Sequence, residues 1–364
     1  MTLHRYFAWR FLTTFGAVFA IFLGLALLFD FMDQVRRFAG DEVSLGALLG
    51  LTVLNAPVGF YRILPLLMII ASVTLFISLA RSSELVVARA SGRSALRALV
   101  APGIVALAIG AVAVAVFNPL VAQMSQEYEA RTDRIDEDGS TLSISDEGLW
   151  LRQGSSDGQT VIRALSSTLD GTTLRQVTFI SFAQDGTPVR RIEAANATLT
   201  RGGWDLRDAK SWPLDRNPNP EAAARAYDTL RIPSSLTPEG IRDSFGSPSA
   251  IPIWELPAFI DQLERAGFSA RRHLVWFHME LALPVFMVAM MLVGASFTVR
   301  HARVSRTGAA VLVAILAGFA LYFVRNFAQI LGENGQMPIL LAAWAPPLAA
   351  LGLALGRLFR LEDG

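Results

Sequence analysis

Apolar positions in this chain fall into three blocks, and the middle block has a different period from the other two. Mostly apolar runs occupy about residues 11–31, 64–80 and 99–120, and three more occupy about 274–299, 307–330 and 338–359. Each is close to the ~20 residues that cross a bilayer as a helix, so six transmembrane helices are predicted. A softer apolar stretch from Leu45 precedes the second run and is interrupted by Pro57, Arg62 and Pro65. The first run lacks a small-x-small cleavage site and is long for a signal peptide, so it is expected to be a retained helix.

Between the blocks the pattern shortens to alternation. GLWLRQ, QTVIRA, TLRQVTFISFA, PVRRIEAANATLT and GWDLRDA are separated by the turn signals SSDG, LDGT, QDGT and RGG. Period-two runs with closely spaced turns predict a half-buried antiparallel sheet folded into a sandwich or open barrel. Trp150, Phe179, Phe182 and Trp204 are its expected core, and RNPNP (216–220) is a loop. WELPAFIDQLERAG (254–267) reads as an amphipathic helix ending at a glycine, close to the membrane surface. The division is then 1–120 for helices one to three, 121–272 for an inserted segment with the β domain at about 139–235, and 273–364 for helices four to six.

Charge gives the orientation. Arg5 and Arg10 precede span one; Arg81, Arg89, Arg93 and Arg97 lie between spans two and three; Arg300, Arg303 and Arg306 follow span four; Arg357 and Arg360 end the chain. The other side has Arg36 and Arg37 in one short loop and Arg325 near the other. Positive charge favours the cytoplasm, which puts both termini inside and the long inserted segment outside.

Composition narrows the chemistry. The chain is 52% hydrophobic and only 17% charged, against ~25% charged in soluble domains. Its net charge of +1 and lack of a basic tail give no basis for a nucleic-acid partner. There is no cysteine, so an exported portion folds without disulfides. Lys210 is the only lysine and no glycine-rich loop precedes it, which excludes a P-loop ATPase within this chain. The four histidines form no H-E-x-x-H, and G-x-S-x-G does not occur. No catalytic residue, metal site or cofactor is assigned to the chain. Glu280, in HMELALP early in span four, is the exceptional intramembrane carboxylate; it is expected to pair with Arg271 or Arg272, or to snorkel to the surface.

A polytopic protein without a motor can borrow one, as ABC permeases do through a short cytoplasmic helix docked into a separate ATPase. LARSSELVVARASGRSALR (79–97) suits such a helix at about 82–92. Ser82 or Ser83 can cap its start, Glu84 favours the positive end of its dipole and Gly92 can stop it. Leu85 and Val86 offer apolar contact, and Arg81, Glu84, Arg89 and Arg93 offer charge. A charged loop that only sets topology gives the same pattern. Phe11, Phe15, Phe19, Phe22 and Phe29 share one face of span one, which continues to Asp33, Arg36 and Arg37. Rings within the membrane and guanidinium groups above them match the two halves of an anionic lipid. Ordinary packing for the rings and snorkelling for the arginines is the alternative. Arg62 and Arg325 lie near the outer side of their spans, where they could meet the lipid or pair internally.

SSELVVARASG resembles the S-E-L-V-V-x-x-A-S-G segment of the lipopolysaccharide-export permeases of the LptF/LptG family. DFMDQVRRF after span one, the P-x-x-x-x-x-x-L-P approach to span two and MPILLAAWAP at span six match in the same order. The likeness covers essentially the whole chain, and its D-Q and A-S-G segments sit nearer the LptG branch than the LptF branch. The resemblance implies three helices, an external β-jelly-roll-like domain and three helices in the bacterial inner membrane. It implies a permease that extracts lipopolysaccharide, pairs with an LptF-like permease, an LptB-like ATPase dimer and an LptC-like periplasmic bridge, and leaves ATP and Mg to the ATPase. It makes Glu84 and its neighbours the coupling helix, Arg36 and Arg37 substrate contacts, and span one a lateral gate with the partner's fifth helix. The sequence departs at QEYEARTDR, where Glu127 and Glu129 stand in place of basic residues of some relatives; Arg131 and Arg134 are the candidate substitutes. The competing reading is an envelope scaffold or sensor with six anchoring helices and a β binding domain.

Overall fold

The computed structural model describes residues 2–39, 44–82, 84, 95–133, 142–145, 148–155, 158–167, 172–183, 185–200, 202–214, 219–234, 247–265, 269–298 and 307–363. Six helical spans long and apolar enough to cross a membrane are present among them, as the sequence predicts. They are α1 (Thr2–Arg37), α2 (Leu45–Arg81), α3 (Ala95–Val112) continued by α4 (Asn118–Asp133), then α6 (Arg271–Thr298), α7 (Thr307–Glu333) and α8 (Ile339–Asp363). The short α5 (Leu256–Arg265) precedes α6.

The softer stretch from Leu45 is part of α2, which runs unbroken through Pro57 and Pro65. Hydrocarbon offers the freed carbonyl groups no water, so helix continuity with neighbours nearby is the lower-energy arrangement. At 36 and 37 residues, α1 and α2 are each about 55 Å long and overhang a ~30 Å hydrocarbon core. The third span contains a π turn, Ala113–Phe117, between α3 and α4. Pro119 cannot donate to the carbonyl of Ala115 four residues earlier, and the Trp254 indole N–H donates to that carbonyl instead, at 3.2 Å.

The chain forms two compact units. The first comprises Met1–Tyr128, Ser249–Trp254 and Arg271–Gly364. Its centre is α6, apolar on every side, with 72% of its most apolar window buried against 17% for α1 and 22% for α7. Close approach at that centre depends on small residues. A Cβ on Gly110 would lie 2.5 Å from Pro284 Cα, and one on Gly294 would lie 2.9 Å from Ser72. Ser72 Oγ donates to the Met291 carbonyl at 2.6 Å.

The second unit comprises Glu129–Pro248 and Glu255–Ala270. It holds one antiparallel sheet in plain sequence order: β1 (Leu142–Ser145), β2 (Gly148–Ser155), β3 (Gly158–Ser167), β4 (Thr173–Phe182), β5 (Pro188–Thr200), β6 (Gly203–Pro213) and β7 (Arg225–Pro233). Alternation fixes the register. Leu151, Ile162, Phe179 and Ile192 are paired neighbour to neighbour across β2 to β5, and all are at least 98% buried. Of the expected aromatic core, Phe179 and Trp204 are buried edge to face, centroids 6.2 Å apart. Trp150 and Phe182 are half-buried, with the Arg163 guanidinium 5.4 Å over Trp150. Gly186 and Gly202 turn the chain at φ +81. A flat sheet would hold β2 and β7 about 24 Å apart, at ~4.8 Å per strand. Yet Ser234 Oγ, just past β7, donates to Gln153 Oε1 of β2 at 2.8 Å. The sheet therefore curls back on itself, as the sandwich or open-barrel pattern requires. In α5 the buried residues Leu256, Ile260 and Leu263 repeat every three to four positions, as an amphipathic helix requires.

Candidate functional site

The first group of candidate residues lies where α1 begins and α2 ends. Arg10, one turn above Tyr6, donates to Ser78 Oγ at 3.2 Å and to the Tyr6 hydroxyl at 3.4 Å. Tyr6 in turn donates to Glu84 Oε2 at 2.8 Å. Glu84 is thus held from α1, across 78 positions of sequence, by a tyrosine that no motif singles out. Arg81 ends α2 with its side chain exposed. Ser83, Leu85, Val86, Arg89 and Arg93 lie outside the described residues.

The second group is the face of α1 and its outer end. The phenylalanine stripe does not stay in one environment. Phe11 and Phe15 are buried in the helical core. Phe19 is half-buried, edge to face on Phe60 at 4.8 Å and close to Phe117 at 6.1 Å. Phe22 is also half-buried, whereas Phe29 is 65% exposed. A straight helix crossing its neighbours at an angle leaves contact with them partway along its length, so one stripe passes from core to surface. Above it, Asn55 of α2 donates to Asp30 at 2.5 Å. Arg37 donates to the Tyr128 hydroxyl of α4 at 3.2 Å, and buried Gln34 bonds the same hydroxyl. Arg36, Arg62 and Arg131 have exposed side chains; Arg134 lies outside the described residues.

The third group is buried. Glu280 is 1% exposed and pairs with neither Arg271 nor Arg272. The Arg271 guanidinium is turned to the carbonyls of Gly332 and Met337 at the α7–α8 turn. Glu280 Oε2 accepts instead from the Tyr61 hydroxyl of α2 and from Asn118 Nδ2 of α4, the latter at 3.2 Å. Asn118 Oδ1 accepts the Ile253 backbone N–H at 2.9 Å. Arg325 of α7, 9% exposed, supplies the opposite charge in the field around Glu280 and stacks 5.4 Å from the Phe286 ring. Sequence spacing gives no hint of this meeting, since Tyr61 and Glu280 are 219 positions apart. Its one legible signal is an acidic and a basic residue inside apolar spans, which hydrocarbon tolerates only when they interact.

The β unit holds a cavity of about 960 Å³ at the curled end of the sheet, bounded by Gln153, Phe182, Arg190, Tyr227 and Ile232 among others. Neutral polar side chains such as Gln153, Gln159 and Thr160 share its wall with apolar ones and with Arg190 and Arg225. Lys210, beside it on β6, bonds Glu221 and lies 4.9 Å over the Trp212 ring. That lysine, with the Trp212 indole N–H, holds the Glu221 carboxyl below the usual carboxylate range. Among the described residues no group of three His, Cys, Asp or Glu is placed to hold a metal ion.

Comparison with known proteins places these groups in context. The profile of the family described as "Lipopolysaccharide export system permease LptF/LptG" matches residues 5–360. The chain is 24% identical over 372 residues to the lipopolysaccharide export system permease protein LptG of Haemophilus influenzae, covering 100% of this chain and 99% of that protein. It is 22% identical over 369 residues to the LptG protein of Escherichia coli K12, covering 98% of each.

Proposed function

Because the chain belongs to the LptF/LptG family of lipopolysaccharide export permeases, a family of multi-span membrane permeases without ATPase activity, we propose that it is the permease subunit of an ATP-driven exporter that extracts lipopolysaccharide from the bacterial inner membrane. In this reading both termini are cytoplasmic and the β unit is periplasmic. Its partners are an LptF-like permease, an LptB-like ATPase dimer that binds ATP and Mg, and an LptC-like periplasmic bridge.

The Tyr6–Glu84 bond is the observation that carries the coupling. Glu84 begins the segment assigned to ATPase docking, and Tyr6 begins the helix assigned to the substrate gate. A push on that segment is thereby applied to α1. Glu84 Oε2 takes the tyrosine proton donor, and the second carboxylate oxygen is available to a cation on the ATPase. Arg81 and, by resemblance, Ser83, Leu85, Val86, Arg89 and Arg93 complete the docking surface.

For the substrate, Phe29 and the half-buried Phe19 and Phe22 face acyl chains, and Arg36, Arg37 and Arg62 face phosphates; Arg131 and Arg134 remain candidates by resemblance. Phe15, buried behind them, supports the helix. Arg325, also a candidate for the lipid, is buried and stacks on the Phe286 ring. Arg190 and Arg225 in the wall of the β cavity offer cations to lipid phosphate passing on to the bridge protein.

Purification of the tagged chain from its native membrane, with and without Glu84→Arg, tests the reading. Wild type is expected to carry a soluble ABC ATPase and a second six-span permease, and the variant to lose the ATPase. If gentle crosslinking recovers no ATPase with wild type, the envelope-scaffold reading replaces this one.

A further inference from the structure

A second candidate ligand site lies in the membrane unit, away from the α1 face. Between α6, α7 and α8 a groove of about 800 Å³ is lined by apolar and small residues, among them Val293, Ala317, Leu321 and Leu353, and at one end by Arg357 and Arg360. Arg357 is exposed, but its head group is held in place. Its guanidinium lies 4.0 Å over the Phe297 ring and its Nε donates to the Ser296 carbonyl at 3.3 Å. That clamp fixes the plane of the fork and leaves its remaining N–H donors for a ligand. Arg360 stands one turn further along the same helix.

We propose that this groove binds one anionic glycerophospholipid of the cytoplasmic leaflet, its phosphate on Arg357 and Arg360 and one acyl chain along α7. The dimensions fit. Ala317 lies ten residues along α7 from Thr307, about 15 Å at 1.5 Å per residue. One leaflet of hydrocarbon is about 15 Å deep, half of a ~30 Å core. The floor is open because Gly352 and Gly356 carry no side chain and a Cβ at either meets nothing within 4 Å. Phosphate and guanidinium supply the charge complementarity, and a lipid tail covers the apolar wall. The leaflet assignment rests on the orientation proposed above; the affinity for an anionic headgroup does not.

Native mass spectrometry of the delipidated full chain, titrated with phosphatidylglycerol or phosphatidylcholine, reads the site. One phosphatidylglycerol is expected to bind at least ~10-fold more tightly than phosphatidylcholine, given two arginines at the headgroup. Arg357→Gln with Arg360→Gln should abolish that preference. Gly356→Leu, which fills the groove and keeps both arginines, should abolish high-affinity binding while leaving the melting temperature within a few degrees. Equal binding of the two lipids by wild type, or wild-type preference in both variants, overturns the proposal. Protease access to a C-terminal tag in spheroplasts reports the orientation separately, so failure of that reading is not confused with failure of the site.

Discussion

Asn118 bonds Glu280 through its Nδ2 at 3.2 Å while its Oδ1 accepts the Ile253 backbone N–H at 2.9 Å. One amide thus joins α4, α6 and the segment returning from the β unit, immediately after the π turn. Both partners are buried, so neither bond competes with water.

Removing the acid from this cluster leaves the buried Tyr61 and Asn118 donors without their acceptor and takes away the negative charge in the field around Arg325. Glu280→Ala is expected to lower unfolding stability by about 3–5 kcal/mol, read by denaturant titration in detergent. Tyr61→Phe removes one hydrogen bond to the carboxylate and should cost about 1–3 kcal/mol. A Glu280→Ala loss no larger than that of Tyr61→Phe would show that Arg325 does not depend on Glu280.

Tyr6→Phe keeps the ring and removes the donor to Glu84. The assembled complex is expected to form and to hydrolyse ATP at near wild-type rate, because the docking residues are intact. Lipopolysaccharide released per ATP should fall several-fold. Equal coupling in variant and wild type would remove Tyr6 from the transmission path.

Gly110 and Gly352 make a matched pair. Gly110→Ala would force a methyl group to 2.5 Å from the Pro284 backbone and should cost about 1–3 kcal/mol through displacement of α3 from α6. Gly352→Ala meets open space and should be neutral or slightly stabilising, through helix propensity. Thermal melts of the two purified variants check both signs.

Arg36→Gln and Arg62→Gln should each weaken photocrosslinking of lipopolysaccharide to α1, by about fivefold per charge at ~1 kcal/mol each. Arg325→Gln should instead destabilise the fold.

In the β unit, the depressed Glu221 carboxyl implies a pH dependence. Its folded value lies below its unfolded one, so the pairing stabilises at neutral pH and that contribution disappears as pH falls through the folded value. Lys210→Met should move the Glu221 titration midpoint upward in a carbon-detected NMR titration.

The sequence by itself determined the six spans, the inserted sheet and the helix near 256–265. Each of these depends on local period: long apolar runs must be helical in hydrocarbon, and alternation must give a two-faced sheet. Motif order likewise determined the family. Local pattern did not show that the softer stretch from Leu45 joins the second helix, because proline's effect depends on the surrounding solvent, which local pattern does not contain. Tertiary structure alone decided which phenylalanines of α1 are core and which are surface, since that depends on where the helix leaves its neighbours. It also decided the partners of Glu280, Glu84 and Arg325. A side chain's partner is set by the meeting of helices far apart in sequence, and no spacing along one helix encodes that meeting.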